Sequence, residues 1–80
     1  MARKARKNMP YTVRIDHPTG RSKTITYDNQ RMMLQYVGMS INDNGYERNM
    51  RVAQNAANAI LNGPVYVGGA TYQIVEDRDA

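Results

Sequence analysis

Apolar and polar residues alternate near the start of the chain, and this pattern predicts a β-hairpin. Apolar side chains occupy every second position of residues 11–16, as in a strand with one solvated face. Residues 17–20, His-Pro-Thr-Gly, are typical of a turn because Pro restricts φ and Gly accepts positive φ. Alternation resumes over residues 23–27, which directs Ile25 and Tyr27 inward.

A second hairpin is predicted near the C-terminus. Residues 65–67 and 70–75 alternate on either side of a Gly-Gly dipeptide, which fits a two-residue turn of the type I′ or II′ class. A loop of that length pairs Val67 with Ala70 and Val65 with Tyr72.

The clearest helical pattern lies between the hairpins. Asn44 followed by Glu47 matches the spacing of a capping box, and Gly63 followed by Pro64 is typical of a helix end. Apolar residues recur at helical intervals between these signals and predict one buried stripe. The stripe consists of Tyr46, Met50, Ala53, Ala57, Ile60 and Leu61.

The segment before this helix leaves two structures open. Asp28 or Asn29 would cap a helix that Gly38 ends. Five of the six residues from 32 to 37 are apolar, too many for one buried stripe on a short helix. The segment is therefore a helix buried on two sides or a third strand, and a loop is expected over residues 40–45.

The order of these elements predicts an α+β domain, ββ-α(α)-ββ, whose sheet packs one face on the helix. We expect the domain to span residues 10–76, between a flexible basic arm of residues 1–9 and a polar end of residues 77–80. No apolar run near 18 residues is present, so no membrane contact is predicted. The absence of Cys fits a cytoplasmic location, and a core this small favours a homodimer.

Charge is distributed unevenly along the chain. The 11 Lys and Arg exceed the 7 Asp and Glu to give a net charge of +4. Residues 1–31 carry a net charge of +6, whereas residues 32–80 carry −2. A basic region favours DNA or RNA as the partner, because cations that contact phosphates release counterions. The predicted phosphate contacts are Arg3, Lys4, Arg6, Lys7, Arg14, Arg21 and Lys23.

The polar side of the predicted helix suggests a second contact with nucleic acid. Arg and Asn are the side chains that bond guanine and adenine edges in the major groove. Arg48, Arg51 and Asn55 fall on one ridge and are predicted to read bases. A helix face that merely meets water has the same pattern. Tyr66 is predicted either to stack on unpaired bases or to serve as a cross-strand partner.

The alternative function is a protein-interaction module that acts as an adaptor or inhibitor of a host protein. Methionine provides an adaptable apolar surface. Met32, Met33 and Tyr36 lie in the segment with two apolar sides and form the predicted partner interface. Core filling is the commoner explanation for Met at helical spacing, and an exposed hairpin edge is a further docking element.

Enzymatic chemistry is not predicted. The chain has one His and no Cys, and no catalytic, metal-ligand or phosphate-loop motif is complete, so we expect no metal and no cofactor. His17 lies in a predicted turn, where a surface position is expected. In its size, basic start and Asn-rich body the chain resembles compact accessory proteins of bacteriophages and mobile elements, which implies a regulatory role. No motif identifies a family.

Overall fold

The computed structural model describes residues 10–76, and the structural statements below concern that part of the chain. Two hairpins and two helices form an α+β domain in the order ββ-α-α-ββ, as predicted. The elements are β1 (Tyr11–Asp16), β2 (Ser22–Tyr27), α1 (Gln30–Asp43), α2 (Met50–Asn58), a 3₁₀ helix (Ala59–Asn62), β3 (Val65–Val67) and β4 (Ala70–Glu76). No helix in the described part is long and apolar enough to cross a membrane.

The four strands form one antiparallel sheet in the order β2-β1-β4-β3. Both predicted hairpins are present, and Val67 lies opposite Ala70 as the Gly-Gly turn requires. The central pair joins β1 to β4, which come from opposite ends of the chain, with Ile15 opposite Tyr72. This long-range pairing holds the two hairpins in one sheet.

The helices cover one face of the sheet, and the core lies between the two layers. Residues from both helices and from three of the strands are buried there together. The residues with no exposed surface are Val13, Met33, Val37, Ile41, Ala53, Ala57 and Tyr72. Ile25 and Tyr27 pack against the rim of this core on the inner side of β2, as predicted.

The segment that the sequence left open is helix α1, and it runs past its predicted end. Asn29 caps it, since its Oδ1 accepts a hydrogen bond from the Met32 N–H at 2.9 Å. Gly38 was expected to end this helix, but it lies buried inside α1 where α2 crosses. A Cβ on Gly38 would stand 2.8 Å from Cδ of Gln54. Glycine here permits a close approach of the helices, and α1 continues to Asp43.

Helix α2 begins later than predicted. Asn49 caps it instead of Asn44, because Asn49 Oδ1 accepts hydrogen bonds from the N–H groups of Arg51 at 2.9 Å and Val52 at 3.3 Å. The Asn42 side chain donates to the carbonyls of residues 47 and 48, which holds this stretch as a loop.

The predicted apolar stripe is correct only in its centre. Ala53, Ala57 and Ile60 are buried, but Met50 and Leu61 are 46% and 45% exposed, and Tyr46 precedes the helix. The prediction fails at its ends because a helix of nine residues followed by a 3₁₀ turn presents a shorter stripe than one continuous helix. The end predicted at residues 63–64 is confirmed by Gly63, with φ of 148°.

Candidate nucleic-acid interface

Arg14 lies on the outer face of the sheet, which the helices leave open. Its Nε donates a hydrogen bond to Asp16 Oδ1 at 3.0 Å, and Ser22 Oγ donates to the same oxygen at 2.7 Å. The hydrogen bond from Ser22, followed by that from Arg14, holds the pKa of Asp16 below its usual value. The Arg14 side chain is thus already paired with a carboxylate, unlike the other two predicted phosphate contacts within residues 10–76.

Arg21 and Lys23 are both exposed, and neither forms an ion pair within residues 10–76. Lys23 lies opposite Ile15 in the ladder, so it shares the face that carries the helices and not the face of Arg14. Arg21 lies in the turn, where its carbonyl accepts the His17 N–H at 2.8 Å. The three hairpin cations therefore occupy two faces and a turn instead of one row.

The remaining predicted phosphate contacts, Arg3, Lys4, Arg6 and Lys7, lie outside the described residues. Their point of attachment is described, because the chain enters β1 at Tyr11. Tyr11 and the Arg21 turn lie at opposite ends of the hairpin, about 20 Å apart at the usual rise per strand residue. Within one copy, the attachment of the basic segment and the hairpin turn are therefore separated by the length of β1.

Tyr46 brings three loops together at the turn end of the sheet. Its hydroxyl is hydrogen-bonded to His17 Nδ1 at 2.5 Å, and its Cα lies 2.7 Å from the position that a Cβ on Gly68 would occupy. We call this region, formed by residues 17–21, 44–49 and 68–69, the loop end. The sequence placed His17 at the surface and Tyr46 in a helix, and no local signal indicates their contact.

The predicted base-reading residues are exposed, but they do not form one helical ridge. Arg51 and Asn55 lie on α2, whereas Arg48 lies in the loop that precedes it. Because α2 starts directly after the loop end, Arg48 and Arg51 lie at the same end of the molecule as Arg21. No acidic residue occurs from residue 48 to residue 75. Sequence reasoning assigned Arg21 and Arg48 to separate sites, and the fold brings them to one end.

The predicted partner interface is divided between core and surface. Met33 is fully buried, so in this fold its side chain is unavailable to a partner. Met32 is half-buried, and Tyr36 is 41% exposed and stacks on Tyr27 with ring centroids 5.9 Å apart. Met39 is also exposed. One accessible apolar surface thus follows the β2 side of α1. Other exposed apolar side chains lie elsewhere on the described residues: Tyr66, 75% exposed, is on the opposite edge strand of the sheet, and the rest are Met50, Val52, Leu61 and Val75.

Within residues 10–76 no three His, Asp or Glu side chains are grouped in a way that would hold a metal ion.

No known protein family, curated protein or solved structure matches this chain.

Proposed function

We propose that this protein is a small non-enzymatic nucleic-acid-associated protein. It binds the phosphate backbone of DNA or RNA through the basic segment of residues 3–7 and the cations of the first hairpin. The observation that supports this most directly is the state of Arg21 and Lys23, which are exposed and free of ion pairs within residues 10–76. Such cations are available to phosphates without first breaking a contact inside the fold.

The cations contribute unequally in this proposal. Arg21 and Lys23 are the main hairpin contacts, because a phosphate that binds Arg14 must compete with Asp16. The four cations of residues 3–7 add a larger electrostatic contribution that is indifferent to base sequence. Arg48 and Arg51 add two further cations at the loop end, which also contains Glu47.

Base reading is a finer part of the same proposal. Arg51 and Asn55 lie exposed on the first two turns of α2, the part of a recognition helix that reaches base edges in many DNA-binding proteins. Arg48, in the preceding loop, is better placed for phosphate than for a base in the groove.

The test is a set of binding titrations with labelled duplex DNA, single-stranded DNA and RNA at two salt concentrations. We expect the full chain to bind and a chain starting at Met9 to bind much more weakly. If all four removed cations contact duplex phosphates, the slope of log K against log salt becomes shallower by about 3.6. Absence of binding to all three nucleic acids at low salt would contradict the proposal.

A matched pair of variants separates a defined contact from simple net charge. Arg21→Gln is expected to weaken binding and to reduce the salt slope by about 0.9 for duplex DNA. Arg31→Gln removes the same charge from α1, about 140° around the helix from Tyr36, and is expected to leave both quantities nearly unchanged. Equal losses in the two variants would show that only total charge matters.

The alternative, an adaptor that binds a host protein, retains Met32 and Tyr36 as its interface. Met33 no longer belongs to this interface, because its side chain is buried. Exposure of Tyr36 and Met39 supports it, and it becomes the leading proposal if the titrations show no nucleic-acid binding.

A further inference from the structure

Strand β2 presents the longest open edge of the sheet. It is an outer strand of six residues, whereas the other outer strand, β3, has three. The His17 N–H donates to the Arg21 carbonyl, and alternation along the antiparallel ladder then assigns the bonds to β1 to the odd-numbered residues of β2. The N–H and C=O groups of Ser22, Thr24 and Thr26 consequently point away from β1.

This edge has few of the features that usually prevent strand pairing. β2 contains no Pro, and the register irregularity of the sheet lies between β1 and β4. Lys23 is its single charged residue. An edge of this kind is a template for another strand.

An apolar surface lies beside the edge on the helix side. We call it the β2 shoulder, and it consists of Ile25, Tyr27, Met32, Tyr36 and Met39. All five side chains are partly or largely accessible, and the Tyr27–Tyr36 stack joins strand to helix. A strand added to β2 would bring its own helix layer against this surface.

We propose that β2 pairs with β2 of a second copy, antiparallel about a two-fold axis at Thr24. In this register Thr24 lies opposite Thr24 of the second copy, and Ser22 lies opposite Thr26. Every outward N–H and C=O group of the strand then finds a partner. The product is one continuous sheet of eight strands in which the two shoulders face each other across the axis. Lys23 then lies opposite Ile25 of the second copy, so the Arg21 turn is the main phosphate contact of the hairpin in the dimer.

Charge favours this orientation and a second copy as the occupant. The start of the edge carries Arg21 and Lys23, and its far end is followed by Asp28. Antiparallel pairing places the basic start of each strand beside the acidic end of the other, whereas parallel pairing places like charges together. Arg21 also comes opposite the aromatic ring of Tyr27 in the second copy, a favourable neighbour for a guanidinium.

The dimer also completes the phosphate-binding surface, a consequence that rests on the proposed function. Tyr11 lies opposite Tyr27 in the ladder, so the end of β2 at Tyr27 is also the end at which residues 1–9 join the sheet. Antiparallel pairing brings that end of one copy beside the Arg21 turn of the other. The attachment of the basic segment and the hairpin turn, about 20 Å apart in one copy, become neighbours between two copies.

Single-cysteine variants of the full chain test the axis and the register, because the natural sequence has no Cys. Thr24→Cys is expected to form a disulfide-linked dimer under mild oxidation, since residues opposite each other in a hydrogen-bonded pair have Cα atoms about 5.5 Å apart. Thr26→Cys is the matched control on the same strand. Its two copies would lie about 13 Å apart along the strands, too far for a disulfide. Equal cross-linking of the two variants, or cross-linking of Thr26→Cys alone, overturns the register.

Two proline substitutions, one on each edge strand, test whether the open edge of β2 forms the dimer. Thr24→Pro removes an N–H that points away from β1, so the monomer is expected to retain its circular dichroism spectrum while sedimentation shows loss of the dimer. Tyr66→Pro is the control at the opposite edge, where the same change is expected to leave the dimer intact. The proposal is overturned if the wild-type chain sediments as a monomer at a protein concentration of about 100 µM, which is roughly the dissociation constant of a weak specific dimer.

Binding to duplex DNA distinguishes failure of the dimer from failure of the proposed function. If both hold, Thr24→Pro binds about tenfold or more weakly than Tyr66→Pro, because linked contacts are lost. If Thr24→Pro is monomeric and binds as tightly as the wild type, the composite surface is wrong while the nucleic-acid function stands. If the wild-type dimer forms but binds no nucleic acid, the function fails and the pairing of β2 stands.

Discussion

Tyr46 is the residue that holds the loop end together. It lies in the loop between the helices, hydrogen-bonds to His17 of the first hairpin and packs on Gly68 of the second. The contact with Gly68 leaves no space for a Cβ, and Gly68 also has a φ of +59°, in the left-handed region. One aromatic side chain thus sets the spacing of two turns that are far apart in the sequence.

Substitution of Gly68 measures the importance of this contact. Gly68→Ala is expected to lower the free energy of unfolding by more than Gly45→Ala, with a difference of at least about 1 kcal/mol. Gly45 is the control because its φ is +76° but a Cβ added there would meet no atom within 4 Å, so only the backbone cost applies. Urea unfolding followed by circular dichroism gives both values. Equal losses in the two variants would show that Tyr46 moves aside for the added methyl group with no cost in free energy of unfolding.

Helix α1 shows how packing between elements overrides a local signal. A glycine after a run of apolar residues is typical of a helix end, yet Gly38 lies inside the helix against Gln54 of α2. Gln54 Nε2 donates a hydrogen bond to the Leu34 carbonyl at 2.9 Å, which joins the helices at this crossing. The lower helix propensity of Gly is offset by a contact that any larger residue would displace.

A double-mutant cycle tests this account of Gly38. Gly38→Ala alone is expected to change the free energy of unfolding by less than about 0.5 kcal/mol, because a propensity gain near 1 kcal/mol is cancelled by loss of the Gln54 hydrogen bond. In a Gln54→Ala background the same substitution is expected to stabilise the protein by about 1 kcal/mol. Identical effects of Gly38→Ala in the two backgrounds would contradict the coupling.

The whole molecule is a thin two-layer domain. The positions of its polar and apolar surfaces are more informative than the size of the domain. One face of the sheet is covered by helices, and the other carries mainly polar side chains together with the exposed Tyr66. The apolar surface beside β2 borders an open edge. A chain of 80 residues buries a modest fraction of its surface on folding, so pairing of two copies would contribute a large share of its stability.

Thermal unfolding at several protein concentrations tests this share. For a dimer that dissociates as it unfolds, the midpoint of the wild-type chain is expected to rise by about 5 °C or more over a hundredfold increase in concentration. The midpoint of Thr24→Pro is expected to be lower and independent of concentration. A concentration-independent midpoint for the wild type would contradict a dimer linked to folding.

Local patterns in the sequence are sufficient for the hairpins, their turns and the α+β class. Alternation assigns Val13 and Ile15 to the inner face, and the length of the Gly-Gly turn determines that Val67 lies opposite Ala70. These features depend on residues close together in the chain, for which side-chain period and turn geometry leave one solution. The uneven charge likewise follows from the order of the residues alone.

Only the tertiary structure decided which distant residues and elements lie next to each other. Pairing of β1 with β4, the extension of α1 through Gly38 and the Tyr46 contacts all join residues distant in sequence, and burial selects among partners that local patterns leave equivalent. The same holds for the candidate site. Sequence identified Arg14, Arg21 and Lys23 as cations of one hairpin. The pleat places Arg14 and Lys23 on opposite faces of the sheet, and Arg21 lies in the turn.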